Sequence, residues 1–183
     1  MKRLFYSALL AIGFLFTVTS CTEEQDFGQI DDLNITPTIS SGLFYFESDE
    51  ETINSAGPNT SFYYDEVTFE VFSEDYVAEH LLEGTIIYEI ENTTSKPLRI
   101  TIEFLNVDGR VLDAETFTIE ADPSGILTRE VFYGLGGKNL DILANTTGLR
   151  MSAGNLGDGT SVSSTDDPKI IFRSGGEFLF ELQ

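Results

Sequence analysis

A single cysteine stands among the 183 residues, and tryptophan is absent. One cysteine cannot form a disulfide within the chain, so the fold must rest on apolar burial without covalent staples. Basic residues are scarce, with ten Lys and Arg against 31 Asp and Glu and a net charge of −21. This balance argues against nucleic-acid binding, which draws its affinity from Lys and Arg on phosphates. It argues equally against electrostatic adhesion to an anionic bilayer. Histidine occurs once, at His80, on a short amphipathic segment that reads as packing or surface. No Gly-x-Ser-x-Gly elbow, phosphate loop or His/Cys metal spacing is present. The one long apolar run, Leu4 to Phe16, is shorter than the roughly 20 residues that a membrane-spanning helix needs.

What precedes the cysteine is the most informative feature. Lys2 and Arg3 form a positive start, the apolar run follows, and Val18, Thr19 and Ser20 lead to Cys21. Basic, apolar and small-residue regions in that order make a secretory signal. Cys21 directly after the small residues is similar to the lipobox of bacterial lipoproteins. That resemblance implies removal of residues 1–20, a diacylglycerol on the Cys21 thiol and an acyl chain such as palmitate on the new amino terminus. The expected product is a lipid-anchored protein outside the cytoplasm. Several acyl chains on one residue give stable anchoring, because each buried methylene contributes about 0.8 kcal/mol.

Residues 22–95 contain 18 acidic residues and no Lys or Arg, while all eight basic residues of the mature chain follow Ser95. Residues 21–41 read as a polar, acidic tether stiffened by Pro37. Its opening, Thr22-Glu23-Glu24-Gln25-Asp26, resembles the export signal of surface-exposed lipoproteins of the Bacteroidota. That likeness implies the outer membrane and its external face. The segment from Asp32 to Thr38 and the Asn92-Thr93-Thr94 turn give the chain a likeness to small flavobacterial lipoproteins of unknown function, which supports the location and adds no activity.

Residues 42–183 read as one domain. Leu98, Ile100, Ile102 and Phe104 alternate with Arg99, Thr101 and Glu103, and similar period-2 faces run through Val67–Val71, Ile86–Ile90 and Phe178–Leu182. Further strands are expected at Leu43–Phe46, Arg110–Glu120, Ile126–Tyr133, Gly148–Ala153 and Lys169–Arg173. Turn chemistry at residues 92–97, 108–109 and 122–125 separates several of them. Strands so spaced indicate an all-β antiparallel sandwich. The Asn-Thr turn, the strand after it and the Asp108-Gly109 hairpin resemble extracellular immunoglobulin-like modules. Two short helices are expected, one over Tyr76–Leu81 capped by Ser73 and stopped by Gly84, and one near Asn139–Ala144. Gly154–Pro168 is rich in Gly, Ser, Thr and Asp and reads as a long mobile loop.

Apart from lipidation at Cys21, the sequence names no catalytic or cofactor-binding residue. Asp158, Asp166 and Asp167 are candidate calcium ligands in the Gly-rich loop, and Glu47–Glu51 form a second oxygen cluster, though neither follows EF-hand spacing. Tyr45, Tyr63 and Tyr64, with Phe62, are candidate platforms for stacking on a sugar. Paired carboxylates leave glycoside hydrolysis open by residue type. The reading that follows is a non-enzymatic accessory or interaction module of the cell envelope, held by its lipid and touching an envelope protein partner. A glycan-binding module and then a glycoside hydrolase are the alternatives.

Overall fold

The computed structural model describes residues 35–69, 75–121 and 125–181. Cys21, the signal and most of the expected tether lie outside them. Eight strands and three short helices follow in chain order: β1 (Thr38–Asp49), α1 (Glu50–Ala56), β2 (Ser61–Thr68), α2 (Asp75–Glu79), β3 (Leu81–Asn92), β4 (Leu98–Leu105), β5 (Val111–Ile119), β6 (Leu127–Tyr133), α3 (Asp141–Ala144), β7 (Gly148–Asn155) and β8 (Lys169–Phe180). They form two antiparallel four-stranded sheets, in the orders β1-β8-β3-β6 and β2-β7-β4-β5.

The all-β antiparallel sandwich expected from the alternation is therefore what the chain forms. Its strand order refines the likeness to immunoglobulin modules. β1 pairs with β8, β2 with β7, β3 with β6 and β4 with β5. This is one long hairpin rolled up into two sheets, the arrangement of an eight-stranded jelly roll. Immunoglobulin sandwiches group their strands as ABED and CFG instead. Local alternation places residues in or out of a sheet and is silent on which strand lies beside which, so the two orders look alike in sequence.

The rolled hairpin gives the sandwich two ends. One carries the chain entry at Thr38 and the turns after β4 and β6. The other carries α1 and the loops 93–97 and 156–168. β3 and β4 supply the centre of the core. Ile86, Tyr88 and Ile90 face inward from one sheet, and Leu98, Ile100, Ile102 and Phe104 from the other, all at most 4% exposed. Phe172 from β8 lies within aromatic contact of Phe46, Tyr88 and Phe117. Bulges adjust the edges. The register of β2 shifts between Ser61 and Tyr63, and that of β1 shifts between Gly42 and Phe44. Each extra residue lets two neighbours, Phe62 with Tyr63 and Leu43 with Phe44, pack against the core from one strand.

Four expectations change. β1 begins at Thr38, so residues 38–41 of the expected tether belong to the sheet. The helix over Tyr76–Leu81 is confined to Asp75–Glu79, and Leu81 already opens β3. Gly84 is no helix stop. It lies within β3, where an added Cβ would sit 2.5 Å from Leu143 Cδ1. The separate strands expected at Lys169–Arg173 and Phe178–Leu182 join through Ser174-Gly175-Gly176 as β8. Gly176 makes this feasible, because a Cβ there would meet the Phe178 ring at 2.4 Å.

Phe172 is fully buried, and truncating it removes ring contacts to both sheets. Phe172→Ala is expected to cost about 3–5 kcal/mol, read as a lowered urea midpoint with an unchanged slope.

Candidate functional site

The end of the sandwich opposite the chain entry is built on buried polar groups. Asn92 closes the turn after β3 with its own side chain. Its Nδ2 donates to the carbonyls of Lys96 at 2.9 Å and Glu120 at 2.8 Å, and its Oδ1 accepts from the Thr94 hydroxyl at 2.7 Å. The turn directs Lys96 inward, where it is fully buried. Its ammonium donates to Asp158 Oδ1 at 2.8 Å and to the Ser161 carbonyl at 2.7 Å. Glu50, the first residue of α1, is 4% exposed. One of its carboxylate oxygens accepts from the Ser95 amide, and the other accepts from the Ser163 amide at 2.8 Å. Ser163 Oγ in turn donates to the Thr93 carbonyl at 2.8 Å.

These contacts tie α1, the 93–97 turn and the 156–168 loop into one platform. The loop expected to be mobile is thus pinned by two side chains distant in sequence, Glu50 and Lys96. Burial works to raise the pKa of Glu50, but hydrogen bonds from Ser95 and Ser163 and the charge of Lys96 outweigh it and leave the carboxyl below its usual value. Asp158 is held well below the carboxylate range by Lys96 first, then by Ser161 and Thr160.

Beside this platform, on the outer face of the β2-β7-β4-β5 sheet, lies a shallow depression of about 320 Å³. Thr60, Ser61, Arg99, Thr101 and Ser152 line it, with Asn59 at its rim. Hydroxyl and amide groups lie among the lining side chains, beside Ala153 and Leu156. Arg99 is exposed and makes no ion pair among the described residues, whereas Arg150 on the same face is engaged by Glu66 at 3.0 Å and Glu103 at 3.1 Å.

A second polar cluster closes the open side of the sandwich between β5 and β6. Alternation along β5 turns Asp113 and Glu115 inward. Lys138 bridges both carboxylates, at 2.6 Å and 2.5 Å, and Arg129 reaches Glu115 at 3.0 Å. The Tyr133 hydroxyl donates to Asp113 at 3.2 Å. Desolvation works to lower the pKa of Lys138, and its two carboxylate partners reverse the direction. Burial, reinforced by Glu115 and Asp113, holds the Tyr88 hydroxyl neutral. The two carboxylates are thus engaged by cations and do not face each other across an open cleft.

The sequence candidates do not converge. Asp158 is committed to Lys96 and its own loop, Asp167 pairs with Lys169 at 2.9 Å, and Asp166 is exposed. Among the described residues no three His, Cys, Asp or Glu side chains come together in a group that could hold a metal ion. Of Glu47–Glu51, Asp49 caps α1 through the Thr52 amide at 2.7 Å and Glu50 is buried in the platform. Tyr45 and Tyr64 stand on the outer faces of different sheets, 56% and 65% exposed. Tyr63 turns inward and stacks on Phe46 at 4.5 Å. Three aromatics from adjacent strands therefore point three ways. His80 follows α2, and its carbonyl accepts from the Glu181 amide at 2.9 Å. Sequence reasoning missed Lys96 and Arg99, and it read Glu50 only as one of the Glu47–Glu51 oxygen cluster. A lysine or a glutamate beside a turn is indistinguishable from a solvated charge without the fold.

The carboxylates of the platform have folded-state pKa values below their unfolded ones, so their contribution is complete above about pH 4 and is lost as pH falls through the depressed values. Protease nicking of residues 156–168 is expected to rise in that acid window before global unfolding. Glu50→Ala should bring the nicking to neutral pH. It should also cost about 1–3 kcal/mol for each of the two amide donors left without an acceptor.

No family model matches the chain, and no curated protein matches it. Solved structures do. The VP2 subviral particle of infectious bursal disease virus is 11% identical with a TM-score of 0.39, over 81% of this chain and 33% of that one. The arabinose-bound MgGH51 α-L-arabinofuranosidase is 11% identical with a TM-score of 0.37, over 80% and 23%. BiXyn10A CBM1 in its apo form is 10% identical with a TM-score of 0.35, over 78% and 96%. The chain spans about a third of the length of the viral chain it matches. At these identities and scores the likenesses bear on neither activity nor ligand.

Proposed function

We propose that the chain is a lipid-anchored lipoprotein of the outer membrane, and that its sandwich acts as a non-enzymatic accessory or interaction module of the cell envelope. Acylated Cys21 holds it to the bilayer, and an envelope protein is its partner. The observation that supports this reading is the division of labour between the two ends. The chain enters at Thr38, while the rigid platform built on Glu50, Lys96 and Asp158 lies at the opposite end. About sixteen tether residues reach at most roughly 55 Å, which bounds where the platform meets a partner. Cys21→Ser is expected to move the protein from the membrane fraction to the soluble one without changing its melting curve. Crosslinking of intact cells, then pull-down of the wild-type chain, should capture an integral envelope protein. An unmodified Cys21 thiol in the wild type, read by mass spectrometry, overturns the anchor.

A second reading, capture of a glycan, is supported by the hydroxyl-lined depression beside Arg99. Polar groups on a shallow floor suit sugar hydroxyls, and a guanidinium without an ion pair among the described residues suits a carboxylate-bearing sugar. Affinity electrophoresis in a gel carrying an acidic polysaccharide should retard the wild type. Arg99→Ala and the depression-filling Ser152→Tyr should abolish the retardation, and Tyr45→Ala on the other sheet should leave it unchanged.

A further inference from the structure

The described residues include eleven large hydrophobic side chains left exposed. Scattered singly they would need no explanation. Six of them, Ile35, Ile39, Leu82, Val107, Val111 and Leu135, lie at the chain-entry end of the sandwich. Strand direction fixes that grouping. β1 and β3 start there with Thr38 and Leu81, β4 ends there at Leu105, β5 starts there at Val111 and β6 ends there at Tyr133.

The two most exposed, Leu135 at 95% and Val107 at 84%, occupy equivalent places. The Gly137 amide donates to the Gly134 carbonyl and closes a turn over Leu135. The Gly109 amide donates to the Asn106 carbonyl and closes a turn over Val107. Turn positions favour Pro, Asn, Asp, Gly or Ser, so neither Leu nor Val serves its turn, and neither packs into the core. Lys138, just after one turn, bridges to Asp113 just after the other, so both tips project from the same corner. Arg110 sits at the base of the Val107 turn and makes no ion pair among the described residues.

We propose that this corner is a bilayer-docking surface, with Leu135 and Val107 as apolar tips that enter the headgroup boundary and Arg110 placed to meet a lipid phosphate. The occupant follows from where the chain leads. The segment between Thr38 and Cys21 enters the sandwich at this end, so a bilayer held by an acylated Cys21 meets these tips at a shorter tether extension than it meets the platform. Two tips are too few to hold the domain unaided, but an anchor at short range supplies a high local lipid concentration, and the tips have only to bias orientation. The surface so formed points the platform and the Arg99 depression away from the membrane. This inference rests on the anchored reading above.

The absence of tryptophan allows a clean test. Full-length lipidated protein carrying Leu135→Trp, or Val162→Trp at the opposite end, is reconstituted in zwitterionic phosphatidylcholine vesicles with and without brominated acyl chains. Leu135→Trp is expected to show blue-shifted emission and at least about twofold quenching by bromine, while Val162→Trp shows neither. Adding Val107→Asp to the Leu135→Trp chain should relieve the quenching. Emission from position 135 that ignores bromine overturns the docking surface. If that emission is instead blue-shifted in proportion to protein density, the corner is covered by a second copy. Failure of the wild type to float with the vesicles overturns the anchor itself, and the docking surface with it.

Discussion

Two four-stranded sheets laid face to face leave two open sides, and closing them without a disulfide is the constraint on which the rest of this molecule depends. The chain meets it with different physics on each side. Between β1 and β2, bulges bring extra aromatics inward, and Phe46, Phe44 and Tyr63 fill the gap by stacking and edge contacts. Between β5 and β6, the inward positions of an edge strand carry Asp113 and Glu115, sealed by Lys138 and Arg129. Arg129 also lies over the Phe117 ring at 4.7 Å, so this polar plug is continuous with the apolar core. Inward-facing charge at an edge also discourages pairing with another chain.

The same logic governs the end built on Glu50 and Lys96. A jelly roll sends several crossing loops to each end, and loops carry backbone groups that must be paired when buried. Here two charged side chains meet that need for loops distant in sequence. Glu50 accepts from two amides, and Lys96 donates to a carbonyl and a carboxylate. A buried charge is costly unless its partners are good, so these residues specify one arrangement of the loops more than they add net stability. A platform fixed in this way stands at the end of the domain opposite the chain entry.

Much of the fold was legible from the chain. Period-2 alternation located β3, β4 and the end of β8, because one buried face per sheet forces it, while the strand expected over Val67–Val71 is β2 at Ser61–Thr68. The lipobox-like run ending at Cys21 gave the expected address, on residues outside those the structure describes. Strand order was not legible, because pairing β1 with β8 joins residues at opposite ends of the domain and leaves no local mark. The sites were read less well. Asp158 looked like a free oxygen ligand and is spent on Lys96, while Tyr45, Tyr63 and Tyr64 looked like one platform and are divided by strand direction and a bulge.

The amino-acid sequence by itself determined the class of the fold, the reliance on apolar and aromatic burial, and the acidity of the surface, since all three follow from composition and from which positions alternate. Only the tertiary structure decided that the sandwich is a rolled hairpin, which charges are buried and which solvated, and that Val107 and Leu135 share with the chain entry one end of the sandwich, on the opposite edge. Those properties depend on which residues meet across the fold, and distance along the chain carries no information about that.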